Sequence, residues 1–296
     1  MGHCAPTIMQ TMLDVSRADA QWLVELAAGL PGGIGNTGGE CGGVTAPLVL
    51  LGLCHGLEVQ VQSLPEILYQ GHDLLRRFAA RQGTTWCREI RGQARVPLRC
   101  IRVVRQAPAL CAQTSCSDCK GSISAHRSEA YARLYSHWVE QGFHCAHAVF
   151  HHLKHAIPVI QDLLNGSSGF MGGTVFTGVT CSALTAGVMA LGLAPGEIEN
   201  SRLRVLRMIG TMAIGGDAFA DKVDVFNKTM NLGHQRSQWF AAELGSTQCR
   251  VITQCDFSTT EGVRRYIESG GTGRCSAIAQ SVAHKVQGIV AARAAT

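Results

Sequence analysis

Thirteen cysteines are spread through these 296 residues, and eight of them recur as two ordered sets of four. His3-Cys4-Ala5 is answered by His144-Cys145-Ala146, and Cys41-x-x-x-Thr45-Ala46 by Cys181-x-x-x-Thr185-Ala186. Phe78-Ala79-Ala80-x-x-Gly83-x-Thr85-x-Cys87 is answered by Phe240-Ala241-Ala242-x-x-Gly245-x-Thr247-x-Cys249. Cys100, before Ile101-Arg102-Val103, is answered by Cys275, before Ser276-Ala277-Ile278. A thiolate is both a nucleophile and a ligand for soft metals. Several thiolates cannot be buried together without a cation, so four at one spot imply a cofactor. A single buried cysteine reads equally well as a small hydrophobe; four that repeat in the same order do not.

Something must bring these sulfurs together, and the pattern around them is helical. Gly-rich loops at Gly32 and Gly172 each lead through a cysteine into an apolar run that closes on Leu51-Gly52-Leu53 or Leu191-Gly192-Leu193. The pattern predicts Cys4, Cys41, Cys100, Cys145, Cys181 and Cys275 at or near helix starts, with Cys87 and Cys249 just after a helix end. The positive end of a helix dipole favours a thiolate by roughly 0.3–1 kcal/mol. Ser16-Arg17-Ala18-Asp19 reads as a capping box ahead of Trp22, Leu23, Leu26 and Leu30. Leu64–Phe78, Leu98–Leu110 and Ala125–Gln141 also read as helices, and Ser201–Leu232 as one helix broken at Gly215-Gly216. Alternating strand patterns are scarce. The expected fold is all-α: two tandem homologous helical-bundle domains related by pseudo-twofold symmetry. The first would cover residues 1–111 and the second 125–296, joined by a polar, Cys-containing linker at 112–124. The repeat is domain-sized, too long for a solenoid.

The bulk numbers fit this reading. The length suggests two domains, each burying its own core. No apolar run reaches the roughly 18 residues of a membrane span, and MGHCAPTIMQ has no secretory pattern, so a cytoplasmic location is the expectation. In a reducing compartment disulfides do not persist, and an odd cysteine count argues against a fully paired framework. The net charge is +5, but it is unevenly spread. Arg76, Arg77, Arg81, Arg88, Arg91, Arg95, Arg99, Arg102 and Arg105 face a single acid in that stretch, Glu89. Such a face is either merely solvated or it balances an anionic cofactor or receives an acidic partner. No helix-turn-helix or RNP-type signature is present, so nucleic acid is not among the expected partners.

At the cysteines the sequence resembles the redox-active proteins named for the pattern C…GCAxxG…C…C, whose domains carry four characteristic cysteines. The similarity covers nearly the whole chain as two tandem copies, an internal pseudo-dimer that leaves homo-oligomerisation open. The chain is also similar to the amino-terminal domain of split-Soret cytochromes c, where a helical bundle accompanies a proposed iron–sulfur site. The resemblance implies Cys4, Cys41, Cys87 and Cys100 as one ligand set and Cys145, Cys181, Cys249 and Cys275 as the other. It implies a redox role, with a 2Fe-2S or 4Fe-4S iron–sulfur cluster as cofactor and a redox partner protein. Both copies depart from the pattern. Its closing glycine is missing from Cys41–Ala46 and from Cys181–Ala186, and the second copy has Ser182 where the first has Gly42.

Other signals are weaker. Cys111-x4-Cys116-x2-Cys119 has the spacing of three plant-type ferredoxin ligands, a candidate third metal site completed by His126 or a distant cysteine. Covalent haem is excluded, because no Cys-x-x-Cys-His occurs and Cys119 is followed by Lys120. His147, His151 and His155 fall at i, i+4 and i+8, a metal-ligand spacing, but Thr7, Thr11 and Val15 stand at the matching places, which favours a polar face. His3 and His144 recur beside Cys4 and Cys145, where they could donate hydrogen bonds to a cluster or replace a cysteine as ligand. Gly33-x-Gly35-x-x-Gly38 matches the dinucleotide fingerprint only formally, since no strand precedes it. Three functions follow. An electron-transfer protein with a cluster in each copy is favoured; dithiol–disulfide exchange and a non-redox zinc or copper site are the alternatives.

Overall fold

The computed structural model describes residues 3–57, 64–92, 98–115, 120–194, 206 and 228–294. The first copy contributes α1 (Cys4–Ser16), α2 (Gln21–Leu26), α3 (Gly42–His55), α4 (Glu66–Gln82), α5 (Cys87–Arg91) and α6 (Leu98–Ser115). After α7 (Ala125–Glu140), the second contributes α8 (Cys145–His152), α9 (Gln161–Ser167), α10 (Ser182–Leu193) and α11 (Lys228–Leu244). It ends with α12 (Cys249–Thr253), α13 (Thr260–Glu268) and α14 (Gly271–Ala294). All regular elements among the described residues are helical; β pairing is limited to the isolated bridges Glu40–Trp86 and Thr180–Gln248.

Helices α3 and α10 are apolar on every side, which suits only a buried helix. Leu48, Val49 and Leu51 on α3, and Leu184, Val188, Met189 and Leu191 on α10, are at most 1% exposed. Each such burial contributes about 1.5–3 kcal/mol. Around α3 lie α1, α4 and α6 of its own copy, and α9 of the other. Around α10 lie α8, α11 and α14 of its own copy, and α2 of the other. The short helix of each copy therefore rests on the central helix of its sister.

Glycines make these crossings close, and they do so reciprocally. A Cβ at Gly52 would lie 2.3 Å from the Asn165 carbonyl oxygen, and one at Gly192 would lie 2.1 Å from that of Glu25. Gly29 faces Val188 while Gly169 faces Leu48, and Gly71 faces Val175 while Gly233 faces Gly35. Each contact has its partner with the copies interchanged, which is the signature of a pseudo-twofold axis. On that axis Glu40 is 1% exposed. It accepts hydrogen bonds from the Thr174 hydroxyl at 2.6 Å, the Thr180 amide at 3.3 Å and the Thr180 hydroxyl. The apolar core consequently runs without a break through both copies, rather than forming the two separate cores expected from length.

Other expectations also need correction. Ser16 caps nothing: it ends α1 with its hydroxyl on the Leu13 carbonyl, and α2 starts at Gln21 without a side-chain cap. Helix α6 runs on through Ser115, so the start of the supposed linker is helical. Residues 201–205 and 207–227, which include the Gly215-Gly216 break, lie outside the described residues. The second copy grew by α13, which packs against α7.

Candidate functional site

Each site begins with an unusual backbone. Gly32, Gly33, Ile34, Gly35 and Asn36 have φ of 72°, 82°, 57°, 62° and 57°. Gly172, Gly173, Thr174, Val175 and Phe176 have 57°, 74°, 57°, 45° and 63°. Five successive left-handed residues make a left-handed helical turn, closed by bonds such as Ile34 N–H to Leu30 O at 2.8 Å and Thr174 N–H to Phe170 O at 3.1 Å. Every non-glycine residue in it costs roughly 1–2 kcal/mol. Strain of this kind persists where the surroundings over-determine it, which is common at functional sites. Here the surroundings include α4 of the first copy, whose His72 donates from Nε2 to the Val175 carbonyl at 2.8 Å.

The turn sets the first two sulfurs. Cys41 is the N-cap of α3 and Cys87 opens α5. Their backbones clamp one another: Cys41 N–H donates to Thr85 O at 2.9 Å and Cys87 N–H to Gly39 O at 2.7 Å. The second copy repeats the clamp with Cys181 N–H to Thr247 O at 2.8 Å and Cys249 N–H to Val179 O at 2.7 Å. Cys4 and Cys145 open α1 and α8, Cys100 lies in the first turn of α6, and Cys275 lies in α14. Cys87 and Cys249, expected just after a helix end, thus also begin short helices. Gly42 keeps Cys4 close to α3, since a Cβ there would sit 2.6 Å from the Cys4 sulfur.

The four thiols of each copy are near enough to repel one another on ionisation. In the first, burial and then Cys100 push Cys4 up to about 11. Burial, then Cys4 and Cys87, hold Cys41 well above the ordinary thiol value. Burial, Cys4 and Cys100 push Cys87 up to about 12, against the opposing pull of Arg91 and Arg88. Cys100 is also raised by burial, with Arg91 opposing. In the second copy burial and Cys275 push Cys181 up to about 12, and burial, Cys181 and Cys275 raise Cys249. Cys145 and Cys275 approach within hydrogen-bonding reach, which raises Cys145 and lowers Cys275 to about 7.

Backbone N–H groups already point at the sulfurs. Those of Ala5 and Gly32 reach Cys4, that of Gly43 reaches Cys41, and those of Ala183 and Leu184 reach Cys181. This donor set suits a metal–thiolate group, because thiols are its ligands and amide donors offset its negative charge. Among the described residues no three His, Cys, Asp or Glu side chains are placed to hold one metal ion.

The remaining sequence candidates divide. The Cys111 thiol is buried and reaches the Pro47 carbonyl at 4.0 Å; Cys116 and Cys119 lie outside the described residues. His3 is the N-cap of α1 and accepts the Thr7 amide and hydroxyl through its carbonyl. His144 is buried with both ring nitrogens on backbone: Nδ1 accepts from His147 N–H at 3.3 Å and Nε2 donates to Ser168 O at 3.3 Å. Neither nitrogen is left for a sulfur. The histidine stripe breaks, since α8 ends at His152 and His155 follows it. His147 instead stacks on His144 with centroids 4.0 Å apart.

Two neighbours of the second quartet escaped the sequence reading. Cys255 is buried and close enough to Cys249 and Cys275 to interact with both. The buried Tyr266 hydroxyl approaches Cys275 and Thr272 without closing a well-formed hydrogen bond. The anchors repeated in both copies drew attention away from both residues. The signal for Cys255 was its place six residues after Cys249; Tyr266 comes from an inserted helix that carries no such mark.

No helix among the described residues is long and apolar enough to cross a membrane. No curated protein and no solved structure matches the chain, so the likeness to split-Soret cytochromes gains no support. The family described as "Putative redox-active protein (C_GCAxxG_C_C)" matches residues 2–114 and again 143–289. Those two stretches take in every cysteine of both quartets. The chain is a member of this redox-active family, present as two tandem copies.

Proposed function

We propose that each quartet is a redox centre holding an iron–sulfur cluster, and that the protein passes electrons between partners. One observation carries this reading: four thiols converge in each copy, and burial with mutual repulsion forbids their joint ionisation without a cation. A cluster there would supply one-electron storage at a potential set by its surroundings. The chain's own residues do the rest. Cys4, Cys41, Cys87 and Cys100, or Cys145, Cys181, Cys249 and Cys275, would hold it. The left-handed turns and N-capping cysteines keep the cage rigid, and core residues such as Val44 and Ala5 exclude water from its inner side. The test is a dithionite titration of anaerobic protein followed by electron paramagnetic resonance. The expected result is a reduced-state signal from two centres, one lost in Cys41→Ser and the other in Cys181→Ser. Silence at every potential would refute the proposal.

One observation favours a second reading for the second copy alone. Cys145 and Cys275 are neighbours, and Cys145 first, then Tyr266 and Arg274, pull Cys275 down to about 7, which favours its nucleophilic thiolate form. Cys275 would attack a disulfide of an oxidised partner, expelling one partner thiolate and forming a mixed disulfide. Cys145, losing its proton, would then displace the second partner thiolate. That leaves a Cys145–Cys275 disulfide and a partner reduced by two electrons. Mass mapping after treatment with oxidised glutathione tests this; the Cys145–Cys275 link is expected, and its absence rejects the reading.

A further inference from the structure

The two quartets share one cysteine pattern and differ in what surrounds their outer edge. In the first, Cys41 and Cys87 are buried while Cys4 and Cys100 are half-exposed, so the edge nearest solvent lies at the start of α6. Two large apolar side chains flank Cys100 there: Leu98 is 69% and Ile101 52% exposed. Arg99, Arg102 and Arg105 stand exposed on the same helix, which carries no acidic residue. Arg88 on α5 is exposed, and Arg91 is near enough to draw down both Cys87 and Cys100. The second copy reads Gly273-Arg274-Cys275-Ser276-Ala277, with Gln280 in place of Arg105. The one arginine of that stretch, Arg274, donates to the Thr253 carbonyl at 3.2 Å, as Arg88 of the first copy does to the Gly38 carbonyl at 3.2 Å. Leu98, Ile101, Arg102 and Arg105 of α6 therefore have no counterpart at the matching positions of α14.

Building on the redox reading of the first quartet, we propose that this face docks an electron-carrier protein whose own redox group is ringed by acidic residues. An apolar centre with an arginine-rich rim is how protein interfaces are built. Arginines around an electron-transfer edge steer an acidic partner, raising its association rate by about tenfold or more at low salt. Cys100 lies in the first turn of the same helix on its core-facing side, so a partner docked on this face brings its redox group within about one helix width of the quartet. Duplex nucleic acid also seeks basic surfaces, but phosphate contacts leave Leu98 and Ile101 without a role.

The test is equilibrium binding of a flavodoxin, used as the acidic probe, to the full chain at low and physiological ionic strength. Wild type is expected to bind at low salt and to weaken about tenfold as salt rises. R99E/R102E/R105E is expected to lose at least about tenfold at low salt, and L98S/I101S to lose affinity at both salt levels. R250E/K285E, on the second copy, is expected to bind as wild type does. Melting curves on all variants check the fold. Failure of wild type to bind, equal loss in R250E/K285E, or tighter binding of duplex DNA or of basic cytochrome c would each overturn the proposal. Binding is read without electron transfer. A protein lacking any centre that still binds flavodoxin would refute the redox reading alone, and one with intact centres that does not bind would refute the docking face.

Discussion

Replacing Gly192 by alanine tests whether the two copies interlock as described. The new Cβ would lie 2.1 Å from the Glu25 carbonyl oxygen, where carbon and oxygen settle at about 3.3 Å, so roughly 1.2 Å must open between α10 and α2. Neither atom can rotate away, because one is fixed on a buried helix and the other is backbone. Overpacking costs about 1–3 kcal/mol, and a backbone clash belongs at the upper end. At roughly 2–4 °C per kcal/mol, the melting temperature should fall by about 6–12 °C. Gly52→Ala, whose Cβ meets the Asn165 carbonyl at 2.3 Å, should fall by a similar amount. The double variant should lose less than the sum, since opening one contact relieves its symmetry mate. Gly273→Ala is the control: it is exposed and helical with nothing within 4 Å, and it should gain about 0.5–1 kcal/mol. Differential scanning calorimetry reads all four. If Gly192→Ala and Gly52→Ala melt with wild type, or only one is affected, the reciprocal packing is wrong.

Acid should unfold the protein through its buried imidazoles. Burial lowers His72 to about 4, so between pH 6.5 and 4 the unfolded chain takes a proton that the folded chain refuses. Stability therefore falls across that window, by up to about 3 kcal/mol for His72, and His147, also lowered to about 4 by burial, steepens the decline. His72→Gln should flatten the curve of urea midpoint against pH; parallel curves would contradict the assignment. At the second quartet, the metal-free Tyr266→Phe protein should react more slowly with iodoacetamide at Cys275. Tyr266 helps, after Cys145, to hold Cys275 down, so its loss lowers the thiolate fraction at pH 7, and an unchanged rate would remove Tyr266 from the site. Cys255→Ser should leave the first centre's spectrum untouched and shift only the second's, because Cys255 faces Cys249 and Cys275 alone among the quartets. Identical spectra would leave Cys255 without a role.

The helical class and the duplication were legible because α4 and α6 carry a helical period in the chain itself, while α3 and α10 read as matching apolar runs behind a cysteine. The quartets were legible because each cysteine keeps a local signature in both copies. What stayed hidden depends on contacts between copies. Nothing in Gln21–Leu26 says that it rests on α10 rather than on α3, and the continuous core follows from that. The left-handed turn was hidden for a different reason: Thr174, Val175 and Phe176 are poor candidates for positive φ, and tertiary contacts override their preference. Ser16 looked like a cap because its spacing to Asp19 imitates one, but Arg17 turns left-handed after α1 and the helix restarts later. His155 was placed on a stripe by spacing alone, which assumes a helix longer than the one that forms.

The most direct measurement on the central claim is the content of iron, acid-labile sulfide, zinc and copper per chain after anaerobic purification. It should be made on wild type, Cys41→Ser and Cys181→Ser. The account predicts iron and sulfide in equal amounts, two centres per chain, roughly halved in either variant. Protein without metal, or with a metal content that neither substitution alters, would contradict it.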